Sequence, residues 1–214
     1  MSESGMPVRI SARVSATIDG RALRSERSRH AIVTAFFELI GAGNPQPTAQ
    51  QVAAQAGVGL RSVFRHFEDM ESLYAELNDR VQAAALPLLR DPPATGALEE
   101  RALAIVRHRS AFFEALSPYK RAGEIVRHRS VFLQRQHAAV VRELRERLLR
   151  GLPELAAAPD ALLDALEAVL SFEVWERMRR DQRLSRERAT EAFRAVALAL
   201  LAELEVTRRR RRPK

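Results

Sequence analysis

The sequence predicts an all-α protein with an N-terminal three-helix helix-turn-helix head and a larger C-terminal helical bundle body. Apolar residues recur at the helical period in successive segments, glycines and prolines separate these segments, and no segment alternates like a strand. The chain has 214 residues, of which 46% are hydrophobic. It can therefore bury the core of one large or two modest domains.

The N-terminal segment, residues 1–24, shows no sustained period and is rich in serine and arginine. We predict that it is a flexible basic arm and that the first helix begins near Ser25. From there to Gly41 the apolar side chains that cover the head recur at helical spacing, namely Ile32, Phe36, Leu39 and Ile40.

Residues 48–67 predict two short helices joined by a tight turn. Thr48 followed by Gln51 three residues later forms a capping box, and Gly57 permits the turn. Between them, apolar residues lie on one helical face: Val52, Ala53 and Ala56.

The second short helix predicts a surface for duplex DNA. Val63 and Phe67 lie four residues apart on the face that packs inward. The remaining positions form a mixed, donor-bearing surface suited to a major groove: Leu60, Arg61, Ser62, Phe64, Arg65 and His66. Two packed helices without any DNA role would share the glycine turn. The cap, the turn and the Phe-Arg-His-Phe end occur here in order, which favours DNA binding.

The body is predicted to consist of further helices broken by proline, glycine and turn residues. A fourth helix begins at Met70 and ends near Pro87. The others are predicted over residues 98–116, 124–149, 160–180 and 185–205. The predicted segments are then the arm at 1–24, the head at 25–69, a ligand-binding and dimerisation body at 70–206, and a disordered arginine-rich tail at 207–214.

The last two predicted helices carry apolar faces wide enough to serve both the core and a second copy of the chain. Trp175 is interpreted as either a core residue or a dimer contact. The residues expected at the dimer interface are Leu166, Leu170, Val174, Trp175, Phe193, Val196 and Leu200.

Polar residues interrupt two apolar stripes of the body, and buried polar groups need partners. Under one interpretation they line a cavity for an amphiphilic, anionic small molecule, formed by Arg109, Phe112, Phe113, Phe132, Gln136 and Phe172. Under the other, Arg109 and Arg129 extend to solvent or pair with Glu114, Glu124 or Glu173. The sequence leaves both open.

Several classes of chemistry find no support in the sequence. Cysteine is absent, which excludes disulfides and thiol nucleophiles. We find no nucleophile–base arrangement and no phosphate-binding glycine loop, and His108, His128 and His137 lack metal-site spacing. We expect no catalysis, cofactor or bound metal. No apolar run approaches the roughly 18 residues that span a bilayer, so we expect no membrane partner and a cytoplasmic, nucleoid-associated location.

The formal charge of +8 is itself weak evidence for DNA binding, because of where it lies. Residues 208–214 contain five arginines and a lysine without an acidic residue, whereas acidic and basic residues balance over 70–207. The helix-turn-helix pattern therefore carries the prediction.

At residues 48–67 the sequence resembles the signature of the TetR family of bacterial transcriptional regulators. A Thr-led helix, an Ala-Gly-Val turn and a helix ending in aromatic-x-His-Phe recur there, and a Glu-Ser-Leu-Tyr segment follows at residues 71–74. The resemblance implies a ligand-released repressor that binds a palindromic operator as a homodimer. It also implies that the last two helices pair across the dimer and that a small molecule in the body releases the DNA.

The resemblance also implies roles for individual residues. Thr48 would contact a phosphate, His66 would hold the DNA backbone, and the groove would be faced by Arg61, Ser62 and Arg65. By the same resemblance, the core positions are Val58, Val63 and Phe67.

Three residues depart from the family pattern, and each loses a polar contact. Gly59 stands where a capping serine is common, Phe64 replaces a phosphate-binding tyrosine, and Met70 replaces a frequent lysine. The N-terminal arginines are expected to compensate by reaching the DNA backbone or minor groove: Arg21, Arg24, Arg27 and Arg29.

Two other functions remain as alternatives. A ligand-independent architectural DNA binder would use the arm and the tail, with weak sequence preference and a steep salt dependence. An enzyme or carrier built on a helical bundle would use the head only as an accessory.

Overall fold

The computed structural model describes residues 11–91 and 95–211, with side chains described over 20–91 and 95–204. Within these ranges every element of secondary structure is a helix and there is no strand, which confirms the predicted all-α fold. The chain forms two compact units, Met1–Leu77 and Asn78–Lys214. We call them the head and the body.

The head contains three complete helices and the first part of a fourth. They are α1 (Ser11–Gly41), α2 (Ala49–Ala56), α3 (Leu60–His66) and α4 (Met70–Ala85). The head therefore extends to Leu77, further than the predicted boundary at residue 69. Helix α4 runs across the boundary between the two units.

The first helix begins at Ser11, so the predicted start near Ser25 is wrong. No proline lies between residues 11 and 41, and a single interior glycine, Gly20, costs a helix only about 1 kcal/mol relative to alanine. Such a cost does not stop a helix that is already nucleated by its packed C-terminal half. The first ten residues of the predicted arm lie outside the described residues.

The core of the head joins α1 to the helix-turn-helix and to the start of α4. The rings of Phe36 and Tyr74 meet edge to face with centroids 4.9 Å apart. Ile32, Val52 and Leu73 have no accessible surface. This packing gives the two short helices the tertiary support that seven or eight residues lack on their own.

The body consists of the rest of α4 and five further α-helices within the described residues. They are α5 (Leu98–Arg127), α6 (Val131–Gly151), α7 (Asp160–Val169), α8 (Phe172–Glu176) and α9 (Arg186–Arg211). Short 3₁₀ helices occupy Leu86–Leu88 and Pro153–Ala157, and α8 continues into a π-helical turn at Arg177–Asp181.

Helix α5 continues through Pro118, where the sequence predicted a break. A proline removes one backbone hydrogen bond, but residues on both sides of Pro118, including Phe113 and Ala122, are fully buried. Ser117 Oγ also donates to the carbonyl of Phe113, 2.9 Å away. Tertiary packing outweighs the cost of the proline, and α6 accordingly begins later than predicted, after the N-cap Ser130.

The helix predicted over residues 160–180 is two helices. Ser171 lies between α7 and α8, and its hydroxyl accepts the amide of Val174 at 3.4 Å as an N-cap. A serine at this point offers the chain a helix start that a purely apolar periodicity does not reveal.

An aromatic cluster fills the core of the body. The ring of Phe113 meets Phe172 and Phe193 at centroid distances of 5.8 and 6.4 Å, and Trp175 lies 5.5 Å from Phe193. The cluster joins α5, α8 and α9, so α8 is anchored to the core of the body.

Residues 207–211, which the sequence assigned to a disordered tail, belong to helix α9. Residues 212–214 of that prediction lie outside the described residues. Among the described residues, no helix is both long and apolar enough to cross a membrane.

Candidate functional sites

The helix-turn-helix is formed by a capped helix, a left-handed glycine and a second short helix. Thr48 Oγ1 accepts the amide of Gln51 at 3.2 Å, and Gln51 Oε1 accepts the amide of Thr48 at 2.9 Å, which confirms the capping box. Gly57 has φ = 65°, a conformation that side-chain-bearing residues rarely adopt. Gly59 begins α3 without a side-chain cap.

The faces of α3 divide as the sequence predicted. Val63 and Phe67 are each 2% exposed and belong to the core. Leu60, Arg61, Phe64 and Arg65 are exposed, and Ser62 and His66 are half-buried. Thr48 is also exposed, so every residue assigned to the DNA surface keeps some access to solvent. Helix α3 contains no acidic residue.

Arg29 on α1 is exposed but bonded to other residues of the head. Its Nε donates to Glu76 Oε1 at 2.7 Å and its Nη1 to the carbonyl of His66 at 3.0 Å. The guanidinium also lies 4.7 Å from the centre of the Phe67 ring. Arg29 thus packs against the end of α3, and its contact with DNA stays a prediction. Arg21, Arg24 and Arg27 are exposed along α1.

His66 occupies a cationic corner of the head. Burial lowers its pKa below the usual 6.5, and the neighbouring charges of Arg65 and Arg29 lower it further. Its Nε2 is shielded from solvent and has no hydrogen-bond partner in the described structure. The ring is therefore kept neutral at physiological pH.

The body has a pocket between α5, α6 and the α7–α8 junction, with a volume of about 40 Å³. That is room for about three water molecules, whereas ligand sites usually measure several hundred Å³. Its walls are lined by Arg109, Phe113, Leu116, Lys120, His137, Val140, Val141, Leu144, Glu167, Ser171, Phe172 and Glu173.

Only half of the predicted cavity residues line this pocket. Arg109, Phe113 and Phe172 do so. Phe112 is buried in the core and absent from the lining, because adjacent helical positions differ by about 100° in direction. Phe132, which is 37% exposed, and the half-buried Gln136 are also absent from the lining.

Arg109 neither extends to solvent nor pairs with the predicted glutamates. Its guanidinium is 2% exposed and donates to the carbonyls of Leu170 at 3.0 Å and Leu144 at 2.5 Å. Burial lowers the pKa of Arg109 to about 10, and the nearby Glu167 opposes this shift. The arginine stays charged at neutral pH and ties α5 to α6 and to the end of α7. Arg129 is exposed, as the second interpretation expected.

Lys120 and His137 are pocket residues that the sequence interpretation missed. Lys120 Nζ lies 2.5 Å from His137 Nδ1, 3.5 Å from Glu124 Oε1 and 5.4 Å from the centre of the Phe172 ring. Burial lowers the pKa of both groups, and the charge of Lys120 lowers that of His137 further. A protonated lysine only donates, so His137 accepts as a neutral ring.

The signal for Lys120 was the helical spacing of α5. Positions 109, 113, 116 and 120 share one face of a continuous helix. The helix predicted over residues 98–116 stops short of Lys120, which therefore was not expected on this face.

The predicted dimer interface separates into core and accessible residues. Leu166, Leu170, Trp175 and Phe193 are at most 2% exposed within the single chain. They belong to the core of the body. Val174 and Leu200 are half-buried, and Val196 is 41% exposed. These three are available to a second copy.

Within the described part of the chain, no group of three or more acidic or histidine side chains could hold a metal ion. Two of the histidines considered as metal ligands bond different partners: His108 bonds the carbonyl of Arg90, and His137 bonds Lys120.

Comparison of sequences relates about a third of the chain to a known regulator. No family model matches the chain. An uncharacterized HTH-type transcriptional regulator of Haemophilus influenzae is 33% identical over 72 residues. This match covers 33% of the chain and 35% of that protein's length.

Two solved structures resemble most of the chain. A TetR-family transcriptional regulator from Streptomyces coelicolor superposes with a TM-score of 0.66 at 17% identity, covering 85% of this chain and 83% of that one. A transcriptional regulator from Rhodococcus sp. Rha1 gives a TM-score of 0.62 at 17% identity, covering 84% and 96%. The resemblance found at residues 48–67 thus extends to both units: the chain has the fold of the TetR-family transcriptional regulators.

Proposed function

We propose that the chain is a sequence-specific, DNA-binding transcriptional regulator that binds a palindromic operator as a homodimer and is released by a small molecule. The observation that carries this proposal is the outer face of α3. Arg61 and Arg65 are exposed there, the helix has no acidic residue, and its inner face is anchored by Val63 and Phe67. Exposed arginines on a short, well-anchored helix suit the reading of guanine in a major groove.

The homodimer and the palindrome support each other in this proposal. A single α3 has only seven residues and reaches few base pairs. Two copies related by a two-fold axis would place recognition helices about 34–36 Å apart, one helical turn of DNA. The operator would then consist of two inverted half-sites at that spacing.

The test is an electrophoretic mobility shift of the purified full chain on the DNA upstream of its own gene, with scrambled duplex as competitor. We expect retention of the complex against excess scrambled DNA and its loss with Arg61→Ala. A complex that the scrambled duplex displaces equally well, with a steep salt dependence, would instead favour the architectural alternative.

Ligand release is proposed from the pocket of the body. The pocket contains the buried cation Arg109 and the half-buried cation Lys120 between apolar walls, together with the carboxylates of Glu167 and Glu173. The two cations would bind the charged end of an amphiphilic anion. At about 40 Å³ the pocket must expand to admit one. A ligand acts only through different affinities for two body conformations, and α4 is the element that would carry such a difference into the head.

Thermal shift with medium-chain carboxylates tests ligand binding. Lys120→Gln is preferable to a change at Arg109, because Arg109 holds three helical segments together. We expect a carboxylate to raise the melting temperature of the unmodified protein more than that of Lys120→Gln. In the exposed control Arg135→Gln we expect the same increase as in the unmodified protein. Equal shifts in all three proteins would remove the proposed anion site.

A further inference from the structure

The outer face of α3 carries apolar side chains that the core of the head does not use. Leu60 is 38% exposed and Phe64 is 55% exposed, whereas Val63 and Phe67 on the inner face are each 2% exposed. A phenylalanine that is more than half exposed in a helix of seven residues gives up favourable burial in the free protein.

The apolar and basic residues of α3 share one continuous arc. At 3.6 residues per turn, Leu60 and Phe64 point about 40° apart, and Arg61 and Arg65 follow them within a span of about 140°. Arg65 Nη2 lies 3.4 Å from Ser62 Oγ, on the far side of Arg65 from Phe64. The arc therefore presents an apolar half beside a cationic half.

The charge of this arc selects its occupant. Arg61 and Arg65 are exposed and α3 contributes no acidic residue, so the surface complements a polyanion. The apolar feature on the floor of a DNA major groove is the 5-methyl group of thymine, which apolar side chains contact, while arginine reads the adjacent guanine edge.

Resting on the DNA-binding function proposed above, we propose that Phe64, flanked by Leu60, reads the 5-methyl group of a thymine in each half-site. This position next to the arginine contact makes the methyl group a determinant of the operator sequence. The hydroxyl that a tyrosine would offer to a phosphate is absent from Phe64, so its contact with DNA is apolar.

The test begins with selection of a preferred duplex from a random double-stranded pool by the full-length protein. Each thymine of the selected half-sites is then replaced by deoxyuridine, which removes the methyl group and keeps every hydrogen-bonding group. Burial of one methyl-sized group supports about a fourfold change in affinity. We expect about fourfold weaker binding at one thymine per half-site, and about 15-fold weaker binding when both half-sites are changed.

Phe64→Ala then identifies the side chain responsible. We expect this variant to bind thymine and deoxyuridine operators equally, because the methyl group has lost its partner. The matched control is Arg65→Ala on the same exposed arc, which we expect to weaken binding while keeping the thymine preference. Thermal unfolding checks that both variants remain folded, which we expect because Phe64 and Arg65 are exposed.

The outcomes distinguish failure of the proposed thymine contact from failure of the proposed DNA-binding function. If no sequence is enriched, the proposed function fails and the inference fails with it. If a sequence is enriched but deoxyuridine has no effect at any position, or Phe64→Ala weakens binding to both operators while leaving their ratio intact, only the inference is overturned. The second pattern would place Phe64 against the sugar–phosphate backbone.

Discussion

Arg29 connects three helices of the head through one side chain. It donates to Glu76 on α4 and to the carbonyl of His66 on α3, and it covers the Phe67 ring. The pair with Glu76 is substantially exposed and contributes little, so the carbonyl bond and the ring contact matter more. An arginine that we predict to reach DNA thus also positions the end of α3.

Arg29→Ala should therefore lower the free energy of unfolding by about 1–2 kcal/mol, from one hydrogen bond and one cation–π contact. Arg27→Ala, an exposed neighbour on α1, should leave stability unchanged. If Arg27 contacts a phosphate, its removal should reduce the log–log salt slope of DNA binding by about 0.9. Urea unfolding and salt titrations measure the two effects. If Arg29→Ala leaves stability unchanged, Arg29 does not stabilise the head, and a direct contact with DNA becomes its favoured role.

His137 gives the body a predictable response to acid. Burial and the charge of Lys120 lower its pKa in the folded protein below 6.5, the value expected when the chain is unfolded. The unfolded chain thus takes up a proton first as the pH falls. The contribution of His137 to stability is complete above about pH 6.5 and is lost as the pH falls toward the folded pKa.

His137→Gln should accordingly flatten the fall in stability between pH 7.5 and 5.5, measured by urea unfolding. The exposed His128 provides the matched control, and His128→Gln should retain the slope of the unmodified protein. His66 and His108, whose pKa values are also lowered by burial, keep part of the slope in every variant. Identical slopes in the two glutamine variants would contradict this role for His137.

Two glycines in helical surroundings have opposite structural requirements. Gly57 ends α2 at φ = 65°, where a Cβ strains the backbone although nothing lies within 4 Å. Gly123 lies inside α5, also with no atom within 4 Å of an added Cβ, but in ordinary helical conformation. The same added methyl group is therefore unfavourable at one position and favourable at the other.

Gly57→Ala should destabilise the protein by about 1–2 kcal/mol, and Gly123→Ala should stabilise it by up to about 1 kcal/mol. Because Gly57 forms the turn before α3, its variant should also weaken DNA binding. Thermal and urea unfolding measure the first pair of effects and a mobility shift the last. A neutral Gly57→Ala would show that the turn does not depend on the left-handed conformation.

Helical periodicity and capping chemistry predicted the head more fully than the body. Thr48, Gln51 and Gly57 act through local contacts, so their pattern alone located α2 and α3. In α5 the local signal was misleading, because Pro118 favours a break that burial of Phe113 and Ala122 overrides. Because of the break predicted at Pro118, Lys120 was not predicted to line the pocket. Partners distant in sequence, such as Arg109 with Leu170, cannot be inferred from spacing.

The whole chain needs a second copy if it is to hold two recognition helices at a fixed spacing. Much of the broad apolar face of the C-terminal helices is already buried within one chain, since Trp175 and Phe193 are buried against each other. On α9 the apolar surface that remains includes Val196, which is 41% exposed, and the half-buried Leu200. These two residues lie four apart, about 40° around the helix, and define a narrow stripe.

Val196→Glu should therefore separate a dimer into monomers without unfolding the chain, because a carboxylate would be buried only in the dimer. Ala202→Glu introduces the same charge on an exposed part of α9 about 120° away and should leave the dimer intact. Sedimentation equilibrium gives the masses, and a mobility shift on the operator should show Val196→Glu losing cooperative occupation of the two half-sites. A Val196→Glu protein that still sediments as a dimer would place the interface on another surface, since Val196 is the most exposed large apolar residue described on α9.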